Sequence, residues 1–137
     1  GGYMTSLLMT KVHTQFKAGI AVAPVTNWRY YDNVYTERYL QTPQENPQGY
    51  DKNSPTTYAK DLKGKLLLVH GSADDNVHMQ NSIQLLSALQ DNGKDVEFML
   101  YPGGRHGWGG AKGKHFSDLK NKFIYKYLLE KPVPATK

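Results

Sequence analysis

Two polar loops hold the residues best suited to chemistry. The first runs His70-Gly-Ser-Ala-Asp74-Asp75-Asn76-Val77, after the apolar segment Lys65 to His70. The second runs Tyr101-Pro-Gly-Gly-Arg105-His106-Gly107-Trp108, after the alternating segment Asp95 to Tyr101. Adjacent carboxylates at a strand end can cap the next helix, bind a metal or orient a histidine, and Asp75 or Asn76 is well placed to cap. A histidine set among glycines can project into a cleft or simply sit on a surface loop. Together the loops suggest a relay, in which a carboxylate fixes the imidazole tautomer and stabilises the imidazolium that forms when a nucleophile loses its proton. Asp74 and His106 are the candidate catalytic pair.

The elements that would position them follow from periodicity. Residues 3–16 read as a helix with Met4, Leu7, Leu8, Val12 and Phe16 on one face. Gly19 to Ala23 reads as a short buried strand, and Tyr31 to Leu40 as a helix carrying Tyr31, Val34, Tyr35 and Tyr39 on one side. Residues 41–55 are rich in Pro and Gln and read as loop, with Ser54-Pro55 starting a short helix over 55–62. Lys65 to His70 is a second buried strand. His78 to Asn92 is an amphipathic helix with Met79, Ile83, Leu86 and Leu89 inward. In the third strand, Val96, Phe98 and Leu100 oppose a wetter face of Glu97, Met99 and Tyr101, which suits a sheet edge. A final helix spans 115–130. Helices alternating with short apolar strands predict an α/β fold with about three parallel strands and flanking helices.

In parallel α/β sheets, ligands gather at the carboxyl ends of the strands, where both loops lie. In the α/β-hydrolase fold the chain order is Ser, then Asp or Glu, then His, with the Ser on a Gly-x-Ser-x-Gly elbow before a helix. This chain opens Gly1-Gly2-Tyr3 and runs directly into a helix. Gly1 fits the last Gly of the elbow, which places the nucleophile two positions before residue 1. Ser6 lies within the helix and Ser72 lacks the elbow, so neither substitutes. The expectation is a partial α/β-hydrolase fold without its nucleophile.

Four stretches make the resemblance specific. Gly1-Gly2-Tyr3 matches the end of a Gly-Trp-Ser-Tyr-Gly-Gly-Tyr elbow. Ala23-Pro24-Val25, Trp28 and the run Tyr30 to Tyr39 (YYDNVYTERY) match a substrate-pocket segment. His70 to His78 (HGSADDNVH) matches a catalytic-Asp loop, and His106-Gly107 a catalytic-His loop. From residue 1 to about residue 129 the chain resembles the C-terminal part of the hydrolase domain of prolyl oligopeptidase-family serine peptidases, closest to the dipeptidyl peptidase IV group. The resemblance implies that Asp74 and His106 are the triad Asp and His. It implies that Val25, Trp28, Tyr31, Tyr35 and Val77 line the pocket for the residue before the scissile bond, and that Asn76 contacts the substrate backbone. Flat Tyr and Trp rings suit a pyrrolidine ring, although on residue types alone the Tyr face could equally fill core. The implied parent releases Xaa-Pro or Xaa-Ala dipeptides from peptide N-termini, and the chain alone, lacking the Ser, is expected to be inactive. A related oligopeptidase or acylaminoacyl-peptidase is the enzymatic alternative; a dimerisation module is the non-enzymatic one. The family also implies a periplasmic or cell-surface location.

Composition narrows the remaining classes. With 137 residues and no Cys, neither a disulfide scaffold nor a thiolate metal site is available. No His pair has metal-ligand spacing with a third ligand, so neither metal nor cofactor is expected. His13 and His115 read as solvated helix residues, and His70 as hydrogen-bonded structure. The longest aliphatic run, Leu66 to Val69, is far short of the ~20 apolar residues of a membrane span. The net charge of +5 arises from a Lys-rich, Arg-free last segment from Gly109 onward, which reads as a solvated helix face and not as a nucleic-acid surface. Residues 131–137 are expected to form a disordered tail.

Overall fold

The computed structural model describes residues 1–11, 16–132 and 134. The elements in order are α1 (Gly2–Lys11), β1 (Ala18–Val22), a 3-10 turn (Trp28–Tyr30), α2 (Asn33–Leu40), α3 (Pro47–Lys52), a second 3-10 segment (Pro55–Asp61), β2 (Lys65–Gly71), α4 (Gln80–Asp91), β3 (Glu97–Tyr101) and α5 (Gly110–Ile124), which widens into a π-helical turn over Tyr125–Leu129. The strands form one parallel sheet in the order β1-β2-β3.

β2 is central, and its side chains alternate between two cores. Leu66 and Leu68 pack with Met9 of α1, Ala59, Leu62, and Leu85 and Leu89 of α4. Leu67 and Val69 face the opposite layer, with Tyr101 and Phe123 of α5. This burial on both faces is why the strand reads as an unbroken apolar run.

Several expectations need correction. On α1 the buried residues are Ser6, Met9 and Thr10, whereas Met4 is 51% exposed and Phe16 38%; Val12 and His13 lie outside the described residues. Small and polar residues face inward because the helix sits close to the sheet: a Cβ on Gly19 would stand 2.8 Å from Met9 Cγ. β1 is only partly buried, with Ala21 alone fully covered. The presumed loop 41–55 contains α3, whose start is set by Asn46 accepting from the Gly49 amide and by Pro47 in the first turn. On α4 the inward residues are Asn81, Ser82, Leu85 and Leu89, and Ile83 is 41% exposed. β3 does lie at an edge of the described sheet, but its expected wetter face is covered by α5: Tyr101 is 4% exposed and stacks on Trp108 at 4.6 Å. α5 starts five residues earlier than its periodicity suggests, since Gly110 to Lys114 is polar enough to read as loop. The expected tail from residue 131 lies partly outside the described residues.

Candidate active site

The carboxyl ends of β2 and β3 are stitched together before any functional side chain is placed. Ser72 and Ala73 donate their amides to the Tyr101 and Gly104 carbonyls at 3.1 and 2.8 Å. The Gly103 amide returns a bond to Ser72 Oγ at 2.8 Å. The approach is close enough that a Cβ on Gly71 would stand 2.2 Å from the Gly104 carbonyl oxygen. Ser72 thus has a structural partner, and Ser6 is fully buried in α1.

On this frame Asp74 and His106 meet. His106 Nδ1 lies 2.9 Å from Asp74 Oδ2, while Asp74 Oδ1 accepts the amides of Asn76 and Val77 at 3.0 and 2.8 Å. Burial by itself would raise the Asp74 carboxyl. The Val77 amide, the His106 ring and the Asn76 amide outweigh that effect and hold it below the ordinary carboxylate value. An ionised carboxylate only accepts, so His106 Nδ1 carries the proton between them, and in the neutral ring the lone pair is on Nε2. The expected capping of the next helix by Asp75 or Asn76 is not seen: α4 begins at Gln80, its N-cap position is Met79 and no side chain caps it, and Asp75 and Asn76 are both exposed.

A cleft of about 540 Å³ opens beside His106. The residues that the resemblance implied for the pocket, Val25, Trp28, Tyr31, Tyr35 and Val77, all border it, and so does Asn76. Val25 and Val77 are buried at 7% and 4% and form its floor. The aromatic wall is built from contacts between rings: Trp28 packs edge-on against Tyr31 at 5.6 Å, and Tyr31 against Tyr35 at 5.6 Å. The Tyr31 hydroxyl donates to Asn76 Oδ1 at 3.0 Å, tying the wall to the Asp74 loop. The segment entering the wall is anchored below, where the Thr26 amide donates to Asn81 Oδ1 at 3.1 Å and the Thr26 hydroxyl to the Asn81 carbonyl at 2.5 Å. Within this chain Tyr35 and Tyr39 do not fill core: they are 52% and 67% exposed.

Three contributors were not visible in the sequence. Tyr3 lines the cleft and meets Trp28 edge-on at 4.9 Å. Asn81 and Ser82 hold the site from beneath; the available signal was two polar residues on the stripe that also carries Leu85 and Leu89. His70 is fully buried and hydrogen-bonded, with Nδ1 2.7 Å from Ser82 Oγ and Nε2 2.6 Å from the Val77 carbonyl. His115 is exposed as expected, and its Nδ1 pairs with the Tyr101 hydroxyl at 2.8 Å. Among the described residues no cluster of three or more His, Asp or Glu is arranged to hold a metal ion, and no helix is long and apolar enough to cross a membrane.

Residues 1–131 match the family model described as the prolyl oligopeptidase family. A probable dipeptidyl-aminopeptidase B of Neurospora crassa is 50% identical over 110 residues, 78% of this chain and 12% of the relative. Dipeptidyl peptidase 4 of Felis catus is 49% identical over the same length, 78% of this chain and 14% of the relative. The crystal structure of Porphyromonas gingivalis dipeptidyl peptidase 4 superposes with a TM-score of 0.90 at 44% identity, covering 93% of this chain and 18% of that one. The chain thus spans only a small part of the length of the relatives it matches. The three parallel strands and flanking helices are the corresponding part of an α/β-hydrolase fold. With the family model covering nearly all of the chain, and the sheet superposing on that of a solved member, the chain belongs to the prolyl oligopeptidase family.

Proposed function

We propose that this chain is the C-terminal portion of the hydrolase domain of a serine exopeptidase that releases Xaa-Pro or Xaa-Ala dipeptides from peptide N-termini. The observation that carries the reading is the 2.9 Å bond between His106 Nδ1 and Asp74 Oδ2 at the rim of an aromatic cleft. The nucleophilic Ser lies upstream of residue 1. Its hydroxyl attacks the carbonyl after Pro or Ala while His106 Nε2 takes its proton, and Asp74 stabilises the imidazolium. His106 then protonates the departing amine. Water, deprotonated by the same ring, cleaves the Ser ester and releases the dipeptide. Val25, Val77 and the Trp28–Tyr31–Tyr35 wall receive the pyrrolidine or methyl group, and Asn76 contacts the substrate backbone.

The test is a pair of substrates offered to the parent protein. Cleavage of Gly-Pro-p-nitroanilide but not of its N-acetylated form supports an aminodipeptidase. Cleavage of the blocked substrate reassigns the parent to the oligopeptidase or acylaminoacyl-peptidase type. The 137-residue chain alone is expected to cleave neither, since losing the nucleophile removes nearly all triad catalysis; turnover by the pure chain would overturn the assignment of the Ser.

Self-association is a second reading, favoured by Leu128 and Leu129 at the end of the last helix, which are 46% and 48% exposed. Light scattering across a concentration series tests it: a dimer that L128D dissociates supports the contact, and a monomer at all concentrations removes it. By the same reading, we propose that the parent is periplasmic or linked to the cell surface, which fractionation tests.

A further inference from the structure

Behind the Asp74–His106 pair stands a second imidazole with a defined protonation state. His70 occupies the end of β2 and its side chain is 0% exposed. Its Nε2 is 2.6 Å from the Val77 carbonyl. A carbonyl can only accept, so Nε2 carries the proton. Nδ1 then holds a lone pair and accepts the Ser82 hydroxyl at 2.7 Å. Both ring nitrogens are occupied, and burial, which lowers the pKa below its ordinary 6.5, favours the neutral ring.

The same residue that His70 holds by its carbonyl also clamps the carboxylate. The Val77 amide donates to Asp74 Oδ1 at 2.8 Å, leaving Oδ2 to face His106 Nδ1 at 2.9 Å and His70 Nε2 at 3.5 Å. A continuous path therefore runs from Ser82 on α4, through His70 and Val77, to Asp74 and His106. A buried histidine that only filled space would not need a strong donor aimed at the one residue whose amide orients the carboxylate.

We propose that His70 is a positioning residue: as the Nε2–H tautomer, it pins residue 77 so that the Val77 amide holds Asp74 in line with His106. This rests on the reading of Asp74 and His106 as the catalytic relay. The loop it fixes also carries Asn76 and the cleft residue Val77, so His70 couples the alignment of the base to the shape of the pocket floor.

The experiment uses the parent enzyme with His70→Gln, His70→Met and His106→Ala, with steady-state kinetics on Gly-Pro-p-nitroanilide and urea midpoints measured in parallel. Gln keeps an N–H near the position of Nε2, whereas Met fills the volume without a donor. H70M is expected to lower kcat about 10- to 100-fold, in line with the cost of small misplacements in an active site, with a smaller change in KM. H70Q should restore most of kcat. Equal kcat in H70M and the unmodified enzyme, or equal loss in H70Q and H70M while both are folded, overturns the proposal. Should the variants not fold, ¹⁵N-histidine spectra of the unsubstituted parent decide: a ring with protonated Nε2 and bare Nδ1 supports it, and an Nδ1–H or doubly protonated ring at neutral pH overturns it. Retention of activity by H106A removes the relay itself, a failure separate from that of His70.

Discussion

Asp74 and His106 are paired at 2.9 Å with opposite exposure: the carboxylate side chain is fully buried, and the imidazole side chain is 51% exposed. The asymmetry suits the division of labour. A buried acceptor held by two amides cannot swing away, while an accessible ring presents its free nitrogen to the cleft. The cost of burying the charge is met by three hydrogen bonds that favour the ionised form.

Replacing Asp74 with Asn in the parent leaves the shape but offers an amide where a carboxylate stood. His106 loses the partner that selects its Nδ1–H tautomer. We expect kcat to fall by about 10⁴-fold near neutral pH, the size seen for the same change in an unrelated triad peptidase, with KM changed far less. Initial-rate measurements on Gly-Pro-p-nitroanilide check this.

Tyr31→Phe removes one hydrogen bond, to Asn76 Oδ1, and retains the ring that packs between Trp28 and Tyr35. A bond of this kind contributes about 1 kcal/mol. The expected result is a loss in kcat/KM of about 5-fold, carried mostly by KM because the Asp74–His106 pair is untouched.

Gly71→Ala places a Cβ against two backbone oxygens, those of Gly104 and Arg105, at 2.2 and 2.5 Å. Backbone cannot rotate out of the way as a side chain can. The loops bearing Asp74 and His106 must separate, and we expect a stability loss of about 2 kcal/mol together with lost activity. Urea denaturation reads the first and turnover the second.

Acid should destabilise the fold in two steps. Burial lowers the His70 pKa from its ordinary 6.5, against the opposing pull of the Val77 carbonyl and Asp74, with His106 and His78 adding to the lowering. Below 6.5 the unfolded chain takes this proton first, so stability falls with pH from there toward the folded value. The Asp74 pKa lies below its ordinary 3.8 in the folded chain. Its contribution is complete above the unfolded value and is lost as pH falls through the folded one. Urea midpoints across pH 2–8 should show both declines, and H70Q should remove the first while leaving the second.

Much of the site was legible because its residues sit where short, strongly patterned elements end. The β2 run and the polar loop after it are contiguous in sequence, so Asp74, Asn76 and Val77 could be placed at a strand terminus directly. The cleft residues Val25, Trp28, Tyr31 and Tyr35 lie within one short stretch, and the resemblance of that stretch to a known family singled them out. What failed were the faces of α1 and α4. Apolar periodicity selected Met4 and Ile83, which are exposed, and passed over Ser6, Asn81 and Ser82, which are buried. Ser82 and Asn81 turn inward because partners on other elements, His70 and Thr26, await them, whereas Ser6 is inside because α1 lies close against the sheet.

The sequence by itself determined three parallel strands, the Asp74 and His106 loops and the aromatic string from Trp28 to Tyr39, since each depends on residue types at fixed local spacing, while the strand order came from the structure. Tertiary structure decided the rest. It showed that His70 reaches Val77, that Tyr3 joins the aromatic wall, and that glycines at 71 and 104 let two loops interlock. These are relations between side chains and backbone groups brought together only when β2 lies beside β3 and α4 packs beneath them, and no one-dimensional pattern encodes such distances.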